Sequence, residues 1–117
     1  MNPFSFEINK ISDEVILIPE NVVQITRFDI DELCRSARRS HRNKCRILLH
    51  NSIEDPMHQM LVVNPKGYIR PHKNVNTPKS WHLIRGKLIF VQFDESGSIV
   101  GHRKMDNQYG EGPFITR

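Results

Sequence analysis

The chain has 117 residues, a length that fits one domain over residues 1–117, so its activity belongs to one core or to copies of it. With 38% hydrophobic and 26% charged residues, seven prolines and six glycines, the composition excludes a disordered chain and favours a folded, turn-rich one. The net charge of +4 makes nucleic acid a partner to weigh, while no window reaches the roughly 18 apolar residues that would make a membrane span. Neither the opening "MNPFSFEINK" nor the cysteines Cys34 and Cys45, which form no Cys-x-x-Cys pair, point to secretion, so the expected compartment is the cytoplasm.

In chain order, short apolar runs and turn residues alternate from "VILIPENVVQI" onward, with one helical interruption. In "DIDELCRSARR", Ile30, Leu33, Cys34 and Ala37 recur at helical spacing. This predicts a helix over about 29–40, capped by Asp29 or Asp31 and closed by arginines that favour the helix C-terminus. The basic run "RSARRSHRNKCR", residues 35–46, overlaps its end. It holds five arginines, one lysine and one histidine but no interleaved aromatic, so a solvated helix end is favoured over a nucleic-acid surface. Part of it is a candidate for a ligand mouth or a subunit interface.

After the helix come "CRILLHN", "HQMLVV", "GYIRPHK", "WHLIR", "KLIFVQFD" and "SIVGHRK", each of strand length and each bounded by turn residues. "NPKG" at 64–67 and "DESG" at 94–97 predict two hairpins, and Gly86 marks a tight turn or bend between apolar runs. Many short strands at even spacing predict an all-β sandwich or small barrel with one N-terminal helix.

Residues 67–86, "GYIRPHKNVNTPKSWHLIRG", place Gly67, His72 and Gly86 where the first motif of the cupin superfamily places a glycine, a histidine and a glycine. Around them, "ARRSHRNKCRILLHNSIEDPMHQMLVVNPKGYIRPHK" and "LIRGKLIFVQFDESGSIV" resemble the WbuC family of cupin-fold proteins over residues 30–104. The resemblance implies a jelly-roll type β-barrel whose interior holds one divalent metal on histidines and a glutamate. It also implies a place among proteins of O-antigen and other surface-polysaccharide biosynthesis. Two positions depart from the motif: Asn74 stands at the second histidine and Lys79 at the glutamate. An amide is a weak ligand and an ammonium repels a cation, so a metal-free site is favoured. The chain reaches Arg117 before the proline and histidine of the second cupin motif, so either a fragment or a domain that lacks the second half of that motif is expected.

Read for themselves, Tyr68, Arg70, His72 and Asn74 alternate onto one face of the expected strand. With Lys79 they make a set suited to an anion: the guanidinium forks onto phosphate or carboxylate, Lys79 adds a point charge and Tyr68 offers a ring and a hydroxyl. The expected ligand is a sugar or a nucleotide-activated sugar. His72 is the candidate acid or base for an isomerisation or epimerisation, should the protein be an enzyme. Two other readings stand beside this one. A metal could sit on His72 with an unorthodox partner, His50 or His82, with His58 also in reach of such a role. Alternatively, the chain could be a non-catalytic module that forms a homodimer or binds nucleic acid.

Overall fold

The computed structural model describes residues 2–20, 23–50, 52, 54–66, 68–73, 79–106 and 115–116, and its backbone divides into two compact units, Met1–Tyr68 and Ile69–Arg117. In the first, strands β1 (Asn9–Lys10), β2 (Val15–Leu17), β3 (Cys45–Leu48) and β4 (Met60–Val63) form one sheet in the order β1-β2-β3-β4. β1–β2 and β3–β4 pair antiparallel, but β2 and β3 run parallel, Val15 against Arg46 and Leu17 against Leu48. Parallel neighbours need a long crossover, and helix α1 (Arg27–Arg39) supplies it. The helix is therefore built into the sheet's connectivity, which makes this unit mixed α and β where an all-β fold with an appended helix was expected.

Helix α1 begins two residues earlier than its apolar spacing suggested, because the cap is Thr26 rather than Asp29 or Asp31. Thr26 Oγ1 accepts the backbone N–H of Asp29 at 3.3 Å, and Asp29 Oδ2 accepts the backbone N–H of Thr26 at 2.8 Å, a reciprocal capping box. Asp29 is buried and also accepts Ser5 N–H at 2.8 Å and Ser5 Oγ–H at 2.7 Å, which ties the N-terminal segment to the helix start. Burial opposes ionisation of Asp29, yet the hydrogen bonds from Ser5 and Thr26 outweigh it and hold the carboxyl below its ordinary range.

The core of this unit follows from period. Leu33 and Ala37 lie one turn apart on the inner face of α1; Cys45 and Ile47 alternate inward along β3, while Arg46 between them is exposed. Ile16 and Ile18, with Phe4 and Phe6 stacked at 5.4 Å, complete the cluster.

In the second unit, β5 (Trp81–His82) pairs antiparallel with β8 (Ile115–Thr116), and β6 (Lys87–Phe93) with β7 (Ile99–Asp106). The β6–β7 hairpin turns where "DESG" predicts. Asp94 N–H donates to Ser98 O at 2.9 Å, Gly97 N–H to Asp94 O at 3.1 Å, and Gly97 takes φ +86°, a region that L side chains avoid. The Asp94 carboxylate accepts from Ser96 Oγ, Ser98 N and Ser96 N, and these bonds keep it below the ordinary carboxylate range. Gly86, at φ +105°, forms the bend before β6. Trp81 meets Phe90 edge-on at 5.8 Å, which joins β5 to the inner face of the hairpin.

One expected strand is absent. Residues 68–73 of "GYIRPHK" carry no ladder, because Pro71 has no N–H to donate and biases Arg70 before it. The chain turns at Pro65–Lys66 after β4, but the "NPKG" hairpin consequently has no second arm among the described residues. The chain is β-rich with one short helix, and in neither unit do the described strands close on themselves as a barrel.

Candidate functional site: a basic segment with a clamped histidine

Without a pleat between residues 68 and 73, Tyr68, Arg70 and His72 are not ordered by strand alternation as expected; all three are exposed, Tyr68 at 75%. Asn74 lies outside the described residues. His72 and Lys79, seven positions apart, are brought together. His72 Nδ1 lies 3.0 Å from the carbonyl oxygen of Arg70, a contact only a ring N–H can make, so Nδ1 is the donor and, in the neutral ring, Nε2 carries the lone pair. Lys79 Nζ stands 3.5 Å from that Nε2 and 5.7 Å from the centroid of the Trp81 ring.

Each neighbour has a local cause. Pro71 holds the backbone extended so that the His72 ring can fold back onto the Arg70 carbonyl, and Trp81 is fixed by its strand and by Phe90. Lys73 is drawn aside to Glu95 at 2.7 Å, an exposed pair. The outcome is a row of exposed imidazole, half-buried ammonium and half-buried indole, with the exposed Arg70 two residues before His72. Trp81 is a member that sequence reasoning missed; its position two residues after Lys79 was the available signal, overlooked because the expected strand assigned it to structure.

The metal reading fits these residues poorly. Lys79 sets an ammonium at the one imidazole nitrogen of His72 with a lone pair, and no group of three or more His, Cys, Asp or Glu gathers among the described residues. The two proposed partners are used otherwise. His50, in the first unit, stacks on His58 with ring centroids 4.2 Å apart, and its Nδ1 lies 3.2 Å from both the backbone nitrogen and the carbonyl oxygen of Gln59, which holds the loop between β3 and β4. His82 is exposed on β5, where alternation turns it away from the face that carries Trp81.

The basic run at 35–46 is largely neutralised in place. Glu32, buried beside it, accepts Arg35 Nε at 2.7 Å and Arg39 Nη2 at 2.8 Å, while Arg42 Nε reaches both oxygens of Glu14 at 3.0 Å. Burial works against the charge of Glu32, and the two guanidiniums more than compensate, keeping its carboxyl below the ordinary range. Three of the five arginines are thus committed to carboxylates, as a solvated helix end requires. A cavity of ≈ 190 Å³ opens beside this pair, walled by Phe4, Ile8, Ile16 and Cys45; none of the expected site residues lines it. Burial pushes the Cys45 thiol up from its ordinary value, which leaves it an inert packing group.

Comparison with known protein families matches residues 25–105 to a domain of unknown function (DUF6016), a stretch that runs from the cap of α1 to the end of β7. No curated protein and no solved structure matches the chain.

Proposed function

Since this chain belongs to the DUF6016 family, whose description names no activity, we propose from its own residues that it binds a nucleotide-activated sugar through Arg70, His72, Lys79 and Trp81. The role proposed is that of a WbuC-like, cupin-type protein acting in the cytoplasm in surface-polysaccharide biosynthesis, without a resident metal. The fold proposed is the jelly-roll type barrel of that superfamily, to which the β-rich second unit would contribute its hairpin. The motif resemblance around Gly67, His72 and Gly86 supports the family reading. The observation that carries the binding reading is the clamped pair: a histidine oriented through Nδ1, with Lys79 ammonium 3.5 Å from Nε2 and Arg70 next to it. The cations Arg70 and Lys79 with the His72 imidazole suit the oxygens of a diphosphate, and bidentate guanidinium contacts are the strong component of such recognition.

The same orientation defines the chemistry open to the site. With Nδ1–H held on the Arg70 carbonyl, Nε2 is the nitrogen that accepts a proton, here one α to a sugar carbonyl, and Lys79 balances the negative charge left on the carbonyl oxygen. Return of that proton to the neighbouring carbon, with the hydroxyl proton there passing to the former carbonyl oxygen, completes an isomerisation; reprotonation of the same carbon on its other face completes an epimerisation.

Thermal-shift titration of the whole chain with a set of nucleotide sugars, nucleoside diphosphates and inorganic pyrophosphate tests the reading. A nucleotide sugar should raise the melting temperature in proportion to occupancy, and the shift should disappear in Arg70→Ala and Lys79→Ala but persist in His82→Ala. Absence of a shift with every ligand, or an equal shift in all variants, sinks it.

A further inference from the structure

The cavity beside Glu32 is assembled by three parts of the first unit: the N-terminal segment, the β1–β2 edge of the sheet and the last turns of α1. Its shape follows from alternation at that edge. Ile8 packs against the core, Asn9 turns to the other face, and Lys10 turns inward again, opposite the buried Ile16 in the ladder. Lys10 therefore sits at the rim of an apolar hollow of ≈ 190 Å³ floored by Phe4, Ile8, Ile16 and Cys45. An inward lysine on an edge strand also discourages stray strand pairing, but that purpose needs no hollow beneath it.

The charges around the hollow say what fits it. Four charged side chains line it, two of each sign: Lys10, Asp13, Glu32 and Arg39. Glu32 and Arg39 satisfy each other at 2.8 Å, the second oxygen of Glu32 takes Arg35, and Arg39 also reaches Ser36 Oγ at 3.4 Å. Glu14, another carboxylate that acts on Cys45, is held by Arg42. One cation and one anion remain. Lys10 has no ion pair or side-chain hydrogen bond among the described residues, and Asp13 uses only Oδ2, which accepts the backbone N–H of His41 at 2.9 Å. Burial is the main obstacle to ionising the Cys45 thiol, but both charges also act on it, Lys10 favouring the thiolate and Asp13 opposing it, so the two stand over the same floor.

A ligand matched to this hollow carries both charges at one end and an apolar group at the other. Volume limits that group: a dry cavity of about 150 Å³ takes up benzene, whereas drug-sized ligands need about 300 Å³ or more. The hollow thus accepts a branched aliphatic or single-ring side chain and is too small for a nucleotide. A simple carboxylic acid would set its anion beside Asp13, and a simple amine its cation beside Lys10.

We propose that the cavity between β1 and α1 binds a free α-amino acid with an apolar side chain, its carboxylate on Lys10, its ammonium on Asp13 Oδ1 and its side chain against Phe4, Ile16 and Cys45. Both charges at the rim are exposed, so their attraction is modest and the dissociation constant falls at about 0.1–1 mM. The pocket shares no residue with the sugar-binding reading.

Calorimetric titration of the whole chain with L-leucine and L-phenylalanine tests it, with glycine, isopentylamine and 4-methylpentanoate as controls that lack the side chain, the carboxylate and the ammonium in turn. Leucine or phenylalanine should bind, and each control about tenfold or more weakly. Lys10→Ala should weaken leucine binding about tenfold with the helical circular dichroism unchanged, as should Asp13→Asn, which keeps an acceptor for His41 N–H. Ser36→Leu, which fills the hollow from α1, should abolish binding, and Lys79→Ala should leave it as in wild type. Absence of binding by both amino acids at about 10 mM overturns the proposal, as does a control that binds as well as leucine, or a leucine affinity indifferent to Lys10→Ala and Asp13→Asn.

Discussion

The two units spend their apolar residues differently. Of the nine buried hydrophobic side chains among the described residues, eight belong to the first unit and only Met105 to the second. The first unit buries a helix face against a sheet, neutralises its arginines with Glu32 and Glu14, and ties down its N-terminal segment with Asp29. The second exposes Ile89, Val91, Phe93 and Ile99 on a hairpin, and holds His72 and Arg70 in solvent with Lys79 half-buried. The first unit therefore concentrates the side chains that stabilise the fold, with one hollow at its edge, and the second offers most of those that can engage something else.

The comparison can be broken most forcefully in the core. Leu33→Ala, at a fully buried position between α1 and the sheet, should cost about 2–5 kcal/mol, read from urea denaturation followed by circular dichroism of α1. The single tryptophan, Trp81, lies in the second unit and reports it separately. Its fluorescence transition should move less than the dichroism signal; coincident shifts would show that the units unfold as one.

Next in size is Asp29. Replacement by Ala removes the acceptor of four hydrogen bonds from Ser5 and Thr26, and should cost about 2 kcal/mol. The pH dependence has a definite sign. Asp29 and Glu32 both have folded-state carboxyls held below their ordinary values of 3.8 and 4.5, so their contribution is present above those values and is lost as pH falls through the lower folded ones. Asp29→Asn should therefore flatten the acid side of the stability profile and leave the neutral-to-basic side parallel to wild type.

Gly97→Ala is smaller. No atom lies within 4 Å of where its Cβ would sit, so the cost is the positive φ alone, about 1 kcal/mol, and should appear in the Trp81 signal. Smallest is Lys79→Ala, a change at a half-buried side chain expected to move stability by less than about 0.5 kcal/mol while abolishing the nucleotide-sugar shift. A large stability loss here would mean that the Lys79–Trp81 contact belongs to the fold rather than to a site.

Much of this molecule was legible in local pattern. Helical spacing placed Leu33 and Ala37 on the face that α1 buries, and alternation in "CRIL" put Cys45 and Ile47 inside with Arg46 out. "DESG" specified its own turn, because Asp at its start and Gly at its end satisfy that geometry without outside help. "GYIRPHK" misled for the converse reason. Its alternation is that of a strand, but a strand exists only where a neighbour can pair with it, and Pro71 withholds a donor from any such ladder.

What the sequence by itself determined is therefore local: where the helix lies, which side chains it buries, where the hairpin turns, and that positive charge gathers around His72. Only the tertiary structure decided what depends on contacts between distant segments. It set β2 parallel to β3 with α1 as their crossover, and matched the run of arginines to Glu32 and Glu14. It also brought Lys79 to the imidazole that Arg70 orients. Periodicity reports which face of an element is apolar, but not which element will cover that face or which charge will meet its opposite, since both are fixed by packing across the chain.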